Sequence, residues 1–419
     1  MAAAPNSSCV SQSTPTNVRT QCCIVGGGPA GMMLGFLLAR AGVDVVVLEK
    51  HTDFFRDFRG DTIHPSTMDV VAEIGLLGEF LKVPHNEAQV LAGVIGDTTI
   101  QLADFRYVPT HCKFLMLMPQ WDFLNFIALH AKAFAGFHLR MNAQAEDLLY
   151  DNDRVIGVRA SMPDGIDEIY ADLVVAADGR SSTCRARAKM QPKQLGAPMD
   201  VLWFSISRRE RDGGQTFGRI AEGHIFISIN RNSYWQCGLV IPKGRFDDIQ
   251  ARGLAAFRTL LAQVGPFLSD RTSEIASWDD VKLLTVTVDR LEKWYRDGLL
   301  CIGDAAHAMS PIGGVGINLA VQDAVAAANI LAGPLYEKTL TPKALAAVQR
   351  RRLFPTRLTQ AAQVLIQNRV ITGILGNPRI MTPPAIMKLF TWFPAIRRIP
   401  AYLVGVGVRP EHVHTPVRP

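Results

Sequence analysis

Apolar residues recur along this chain in three rhythms. A short β-branched run, Cys22 to Val25, enters a glycine cluster, and a second apolar run, Met32 to Ala41, leaves it. The first run predicts a buried strand. The second, rich in Met, Leu and Ala and stopped by Gly42, predicts a helix. Val43 to Leu48 predicts another buried strand. Ser66 to Ile74 predicts a helix with Ser66 as N-cap and Gly75 as terminator, and Asp122 to Ala135 is apolar at helical spacing. Residues 88–120 alternate apolar and polar positions, and Asp151-Asn152-Asp153 is a hairpin turn between two short strands. Period-two runs then fill residues 200–242: Val201 to Ile206, His224 to Ile229 and Tyr234 to Ile241, with a turn at Asn230 to Ser233. Residues 251–268, 316–333 and 342–369 read as helices, and Leu299 to Ile302 as a buried strand. The pattern predicts an α/β chain: a doubly wound, Rossmann-type domain, an inserted β-sheet domain and a helical C-terminal region.

Composition narrows this picture. A length of 419 residues suits two connected domains, and 48% hydrophobic with 20% charged residues describes a globular chain. The net charge of +6 is spread, apart from Arg350-Arg351-Arg352 and Arg397-Arg398. No basic stripe interleaved with aromatics is present, which argues against nucleic acid. A mild positive balance suits anionic cofactors or a membrane surface. The seven cysteines show no CxxC or Cys/His zinc spacing, so no metal site is expected. Buried free thiols in a reducing cytoplasm account for them. Residues 1–20 are Ser-, Thr-, Asn- and Pro-rich without an apolar core, which predicts a disordered tail and no signal peptide. No run of 18 uninterrupted apolar residues occurs, so no transmembrane helix is expected.

The glycine cluster carries the first chemistry. Gly26, Gly28 and Gly31 form G-x-G-x-x-G between the predicted strand and helix. Gly26 permits the tight turn, Gly28 lets a pyrophosphate approach the backbone, and Gly31 lets the helix pack closely. The helix start offers free N–H groups and partial positive charge to phosphates. Glu49 ends the second strand about twenty residues on, where a carboxylate accepts from a ribose diol. The unit alone fits either FAD or NAD. Two further strands end in acids. Asp172 to Ala177 leads into Asp178-Gly179-Arg180, with Ser182 and Arg185 after it. Leu299 to Ile302 leads into Gly303-Asp304, followed by Pro311, Gly313, Gly314, Gly316, Asn318 and a helix. An Asp just past a buried strand can hold a ribityl hydroxyl, and glycines at a helix start expose N–H groups to a ring carbonyl or phosphate.

GxGxxG, the DG stretch and the GD stretch, in that order and on strand ends, resemble the single-component FAD-dependent aromatic hydroxylases, the para-hydroxybenzoate hydroxylase family. The resemblance covers about residues 20–330. It implies a glutathione-reductase-like Rossmann domain binding FAD, built discontinuously from residues 21–80, 110–190 and 290–335. It implies a substrate-binding β-sheet domain from residues 81–109 and 191–289, with residues 336–419 as a helical C-terminal region. It implies a monooxygenase that uses NADPH or NADH, as a transient co-substrate, and O2 to hydroxylate or epoxidise a small aromatic, quinone-precursor or polyketide-like substrate through a flavin C4a-hydroperoxide. By position, Gly26, Gly28 and Gly31 would hold the pyrophosphate, Glu49 the ribose, and Arg59 and Gln120 would reach FAD. Asp178 and Gly179 would serve FAD and the passing nicotinamide. Asp304 would hold the ribityl and phosphate region, and Pro311, Gly314, Gly316 and Asn318 would surround the flavin ring.

Arg180 and Arg185 are candidates to dock the phosphates of NAD(P)H, with a structural salt bridge as the plainer role. Trp203, Phe226 and Trp235, on the period-two strands, are candidates to line the substrate pocket, with packing of the sheet as the plainer reading. The chemistry needs no protein nucleophile. His64 is the one candidate acid or base, against a structural role, and His307 reads as a packing residue. Arg350 to Arg352 read as a solvated helix face. Residues 385–408 set Trp392, Phe393 and other apolar residues beside Arg397 and Arg398. That suits a peripheral membrane contact, or equally a cap on the FAD domain or a subunit contact. The competing functions are a flavin-dependent halogenase or prenyl reductase on the same scaffold, or a flavin-binding protein without turnover. Around Trp235 the row reads Tyr-Trp-Gln-Cys-Gly with no suitable Lys, unlike the halogenase tryptophan-pair motif.

Overall fold

In the computed structural model, residues 16–55, 62–96, 98–213, 217–375, 377 and 385–418 are described. Five strands lie parallel in one sheet: Leu299–Cys301, Gly165–Ala176, Thr16–Val25, Val45–Leu48 and Phe137–Arg140, in that spatial order. The first strand starts at Thr16, inside the stretch expected to be a disordered tail. Its residues 16–20 pair along Asp167 to Ala171, because Gly165–Ala176 is long enough to carry them. The hairpin of Gln144–Asp151 and Arg154–Met162 flanks the sheet, with Asn152 at φ 52° in its turn.

The helix Pro29–Arg40 follows the first strand. Proline at its start fits a position that needs no N–H donor. Residues 30–39 are all buried, because the helix packs between the sheet, the helix Gln120–Ala131 and the long helix Gly316–Tyr336. A Cβ at Gly35 would stand 2.8 Å from Val47, so the helix can only lie this close with glycine there. Helix Gly316–Tyr336 is apolar over a length that could cross a membrane, but it is packed in this core. The six described cysteines are buried and unpaired.

The second sheet has seven strands in the order Lys282–Leu284, Met199–Ser207, Tyr234–Pro242, His224–Asn230, Phe217–Ala221, Val90–Ile95 and Thr98–Asp104. Parallel pairing of Phe217–Ala221 with Val90–Ile95 joins residues 81–109 to residues 191–289. One face, with Phe204, Phe226, Trp235 and Leu239, packs on Phe257, Leu261 and Val264 of helix Leu254–Val264. The other face, with Met199, Val201, Trp203, Ile229 and Val240, meets Leu117, Ile312 and Ile371.

The helix expected over 342–369 is Pro342–Ile366 followed by a π turn, Gln367–Ile371. The C-terminal helices Ala385–Trp392 and Arg398–Gly405 lie on the edge strand Thr98–Asp104 of the second sheet. Two arginines at their junction rest on the protein's own groups. Arg397 Nε donates to the Phe390 carbonyl at 2.7 Å, and the Arg398 guanidinium lies 3.9 Å from the centre of the Tyr107 ring. Trp392, Phe393 and Ile399 stay exposed.

Candidate active site

The motifs meet because four strands end in one row. Val25 is in register with Leu48 on one side and Ala176 on the other, and Ala176 with Cys301. Glu49, the glycine turn, Asp178-Gly179 and Gly303-Asp304 therefore leave neighbouring carboxyl ends of a parallel sheet, where open α/β sheets bind ligands.

The glycine turn has two kinds of glycine. A Cβ at Gly26 would lie 2.4 Å from the Ala177 oxygen, and one at Gly31 would lie 2.0 Å from the Gly26 oxygen. Both glycines are required by the turn itself. A Cβ at Gly28 would meet nothing within 4 Å. Gly28 is the N-cap of helix Pro29–Arg40 and supplies no side-chain cap, so the first N–H groups of the helix point into that open space. Positions 179 and 316 are equally open. A cradle of N–H groups with room above its glycines fits a pyrophosphate. Glu49, buried, accepts from the N–H of Gly27 at 3.0 Å and of His51 at 3.1 Å, so it braces the turn beside any ribose contact. Phe54 sits against Gly27, and the Phe55 ring lies tilted 4.8 Å from that of Trp121, in the helix that Gln120 opens. Arg59 lies outside the described residues.

Asp178 is held inside the site. Burial pushes its carboxyl up, against hydrogen bonds from Ser182 and the Cys184 N–H, and Oδ1 is buried without a partner. Arg180 and Asp304, given separate tasks above, form an ion pair of 3.2 Å across the cleft, each about one-third exposed. Arg185 is buried. Its guanidinium donates to the Ala305 carbonyl at 3.1 Å and the Arg180 carbonyl at 2.6 Å, and lies 3.9 Å from Asp289. The structure gives it the structural role of tying the DG turn to the GD turn.

The GD turn rests on a buried network that the sequence reading missed. Asp323 Oδ2 accepts from the Gly303 N–H at 3.0 Å and lies 2.6 Å from His307 Nε2; Oδ1 accepts from Arg352 Nε at 2.9 Å. Arg352 continues to Glu411 at 3.2 Å. Burial would raise the Asp323 carboxyl, but His307 and Arg352 hold it below the usual carboxylate range. Arg352 is thus no solvated residue: it is 1% exposed, whereas Arg350 does face solvent. The available signal was a lone acid within the apolar run of 316–333. His307 packs on Trp294, as its plainer reading held.

The loop from Pro311 to Gly316 closes the site. Gly313 and Gly314 take φ of 78° and 63°, which favours glycine. His64 Nε2 lies 3.1 Å from the Gly313 carbonyl, and the ring is fully buried. Burial lowers its pKa to about 4, so it is neutral near pH 7 and holds the loop. The helix expected from Ser66 runs from Pro65 to Glu73 with His64 as N-cap. Ser66 and Thr67 instead donate to Asn318 Oδ1 at 2.9 and 2.7 Å, so the Asn318 side chain pins two helices together. Of the proposed pocket aromatics, Trp203 is on the sheet face that meets Ile312 of this loop. Phe226 and Trp235 are on the opposite face, in the core under helix Leu254–Val264, with Trp235 Nε1 donating to Asp212 at 3.0 Å. No cluster of metal-ligating side chains occurs among the described residues.

A family model described as an FAD binding domain matches residues 19–362. The chain is 31% identical over 387 residues to 6-methylpretetramide 4-monooxygenase of Streptomyces rimosus, covering 91% of this chain and 90% of that protein. Among solved structures it is similar to OxyS anhydrotetracycline hydroxylase from Streptomyces rimosus, with a TM-score of 0.71, 21% identity, and 93% and 77% of the two chains covered. It is also similar to the myxobacterial chondrochloren halogenase CndH, with a TM-score of 0.73, 16% identity, and 91% and 90% covered. At these identities the two structures show a shared fold.

Proposed function

Because this chain belongs to the FAD binding domain family and is an FAD-dependent monooxygenase, we propose that it hydroxylates a small aromatic, quinone-precursor or polyketide-like ring with NADPH or NADH as passing reductant. The observation that carries the reading is the single row of strand ends that gathers Gly26 to Gly31, Glu49, Asp178 and Asp304, with the loop after Asp304 packing its Ile312 on the apolar face around Trp203. The 31% identity to a monooxygenase named for a polyketide supports the substrate class. FAD, when bound, supplies the redox chemistry: substrate, O2, NAD(P)H and a proton give hydroxylated substrate, water and NAD(P)+.

The protein binds, orients and excludes water. N–H groups at Gly28 to Gly31 take the pyrophosphate, and Glu49 the ribose. Gln120, Asp178 and Gly179 border the cofactor, and Asp304 takes its ribityl and phosphate region. Backbone N–H groups from Gly314 to Asn318, at a helix start, stabilise negative charge on the ring. Arg59 keeps its expected role of reaching FAD. Arg180, freed from Asp304, steers the phosphates of the reductant, and Arg185 holds the two turns in register. His64 positions the loop. Residues 385–408 cap the edge of the substrate sheet, their arginines being turned onto the protein.

The test is turnover of FAD-reconstituted protein under heavy-isotope O2 with a panel of phenols, quinone precursors and aromatic polyketides, halide included. The expected product carries one labelled oxygen. Halide in the product, or oxygen drawn from water, overturns the reading.

A further inference from the structure

The buried side of helix Pro342–Ile366 presents Gln360 and Gln363, and the π turn adds Gln367. The first two are fully used. Gln360 Nε2 donates to the carbonyls of Asp289 at 2.7 Å and Ala308 at 3.0 Å, and Oε1 accepts from Arg290 at 2.7 Å. Gln363 Nε2 donates to the carbonyls of Ser310 at 3.0 Å and Ile312 at 2.9 Å, and Oε1 accepts from the Ser310 N–H at 3.2 Å. Gln367 differs. It is 0% exposed, and neither carboxamide atom has a partner. The next buried residue of the turn, Ile371, packs in the cluster with Val201 and Trp203 that Ile312 borders. Trp203 Nε1 is also buried without a partner.

A buried amide without a hydrogen bond is destabilising, and native proteins leave few such groups without a reason. π turns concentrate at functional sites. Gln367 lies in the chain between Gln363, which holds the Ile312 carbonyl, and Ile371, which packs in the same cluster as Trp203. An apolar pocket with a few polar groups that fix orientation is the ordinary form of a small-molecule site.

We propose that Gln367 and Trp203 position the substrate ring by pairing with a hydroxyl set beside a carbonyl. The proposal rests on the aromatic-substrate reading above. The indole offers one donor, and the carboxamide one acceptor and a donor group. Their complement is a phenol or enol hydroxyl, given to Gln367 Oε1, next to a carbonyl oxygen that accepts from Gln367 Nε2 and Trp203 Nε1. Both are positioning residues that set specificity; neither moves a proton in the reaction.

The experiment titrates FAD-reconstituted full-length protein with ortho-hydroxyacetophenone and with acetophenone, which lacks the hydroxyl, following flavin absorbance. Melting temperatures are recorded without ligand. Wild type should bind the hydroxylated probe at least about tenfold more tightly, since a site built to pair with a hydroxyl rejects its deletion. Gln367→Leu should remove most of that ratio and leave the ligand-free melting temperature equal or higher, because it deletes an unpaired amide. Trp203→Phe should weaken both probes through the carbonyl. Three results overturn the proposal while leaving the aromatic-substrate reading intact: no preference in wild type, an unchanged ratio in Gln367→Leu, or a melting temperature lowered by several degrees in that variant. Failure of wild type to bind either probe overturns the reading and the proposal together.

Discussion

Acidification should weaken this protein through His64. The ring is fully buried, Nε2 faces the Gly313 carbonyl at 3.1 Å, and Nδ1 has no partner. Nε2 therefore carries the hydrogen in the neutral ring. Burial lowers the pKa from 6.5 to about 4, which the nearby backbone of Gly313 and Thr62 only partly offsets. The unfolded chain takes up the proton first, so this stabilisation is complete above the unfolded value and is lost as pH falls toward the folded one. At about pH 5.5 the unfolded state gains a factor of about 11 and the folded state almost nothing, a loss of about 1.4 kcal/mol, rising to about 3 kcal/mol near pH 4. His64→Gln keeps a donor for Gly313 and removes the titration. Urea midpoints of both proteins, taken at about pH 7.5 and about pH 5.5, isolate the term, since all other groups titrate in both. Wild type should lose about 1.4 kcal/mol relative to the variant. A difference that stays constant within a few tenths refutes the argument. FAD affinity should hold over this interval, because the folded histidine stays neutral, and should fall only as the pH approaches about 4, where the ring that holds the loop at Gly313 takes up its proton.

Gly28→Ala should leave the apoprotein near wild-type stability, within about 1 kcal/mol, yet weaken FAD at least about tenfold by filling the open cradle. Gly31→Ala, whose Cβ would lie 2.0 Å from the Gly26 oxygen, should instead lower the melting temperature of the apoprotein; calorimetry with FAD titration separates the two. Asp323→Asn should cost about 3–5 kcal/mol in urea unfolding, because it removes the buried carboxylate that both Arg352 and His307 face. As its carboxyl is held below the usual range, the stability Asp323 contributes is present above the ordinary carboxylate pKa and is lost in more acidic solution. Arg180→Ala should slow flavin reduction by NAD(P)H in stopped-flow absorbance while FAD stays bound; an unchanged rate removes Arg180 from reductant docking.

What the sequence made legible was local. Gly26, Gly28, Gly31, Glu49, Asp178 and Asp304 each follow a short apolar run, and a parallel sheet puts such runs side by side with their ends level. The buried network was not legible for the converse reason. Asp323 meets His307, sixteen residues away, and Arg352, twenty-nine residues away on another helix, and Arg352 meets Glu411 near the C-terminus. No local rhythm relates those positions. Arg352 stands in a run of three arginines, the usual mark of a solvated face. It is buried because its side of helix Pro342–Ile366 packs on the helix that carries Asp323. For Arg185 the sequence left a phosphate contact and a structural bridge both open, and the structure shows the bridge: two carbonyl oxygens take its donors.

The substrate sheet shows where alternation itself stops informing. Period two states that residues i and i+2 share a face, and it leaves open which face of one strand matches which face of the next. Register decides that. Trp203 stands opposite Gly238, while Phe226 stands opposite Leu239 and Trp235 opposite Ile206. Leu239 and Gly238 are adjacent in sequence and must point to opposite sides, so Trp203 and Phe226 cannot line the same pocket. Helix Leu254–Val264 claims the side of Phe226 and Trp235 because its own apolar residues need that cover. Gly238 then gives the indole room: a Cβ there would lie 3.0 Å from the ring of Trp203. The glycine lets one large aromatic lie across the sheet among Val201, Ile229 and Val240. A face so built is apolar and shaped by aliphatic side chains, and its orienting power resides in the polar atoms at its edge.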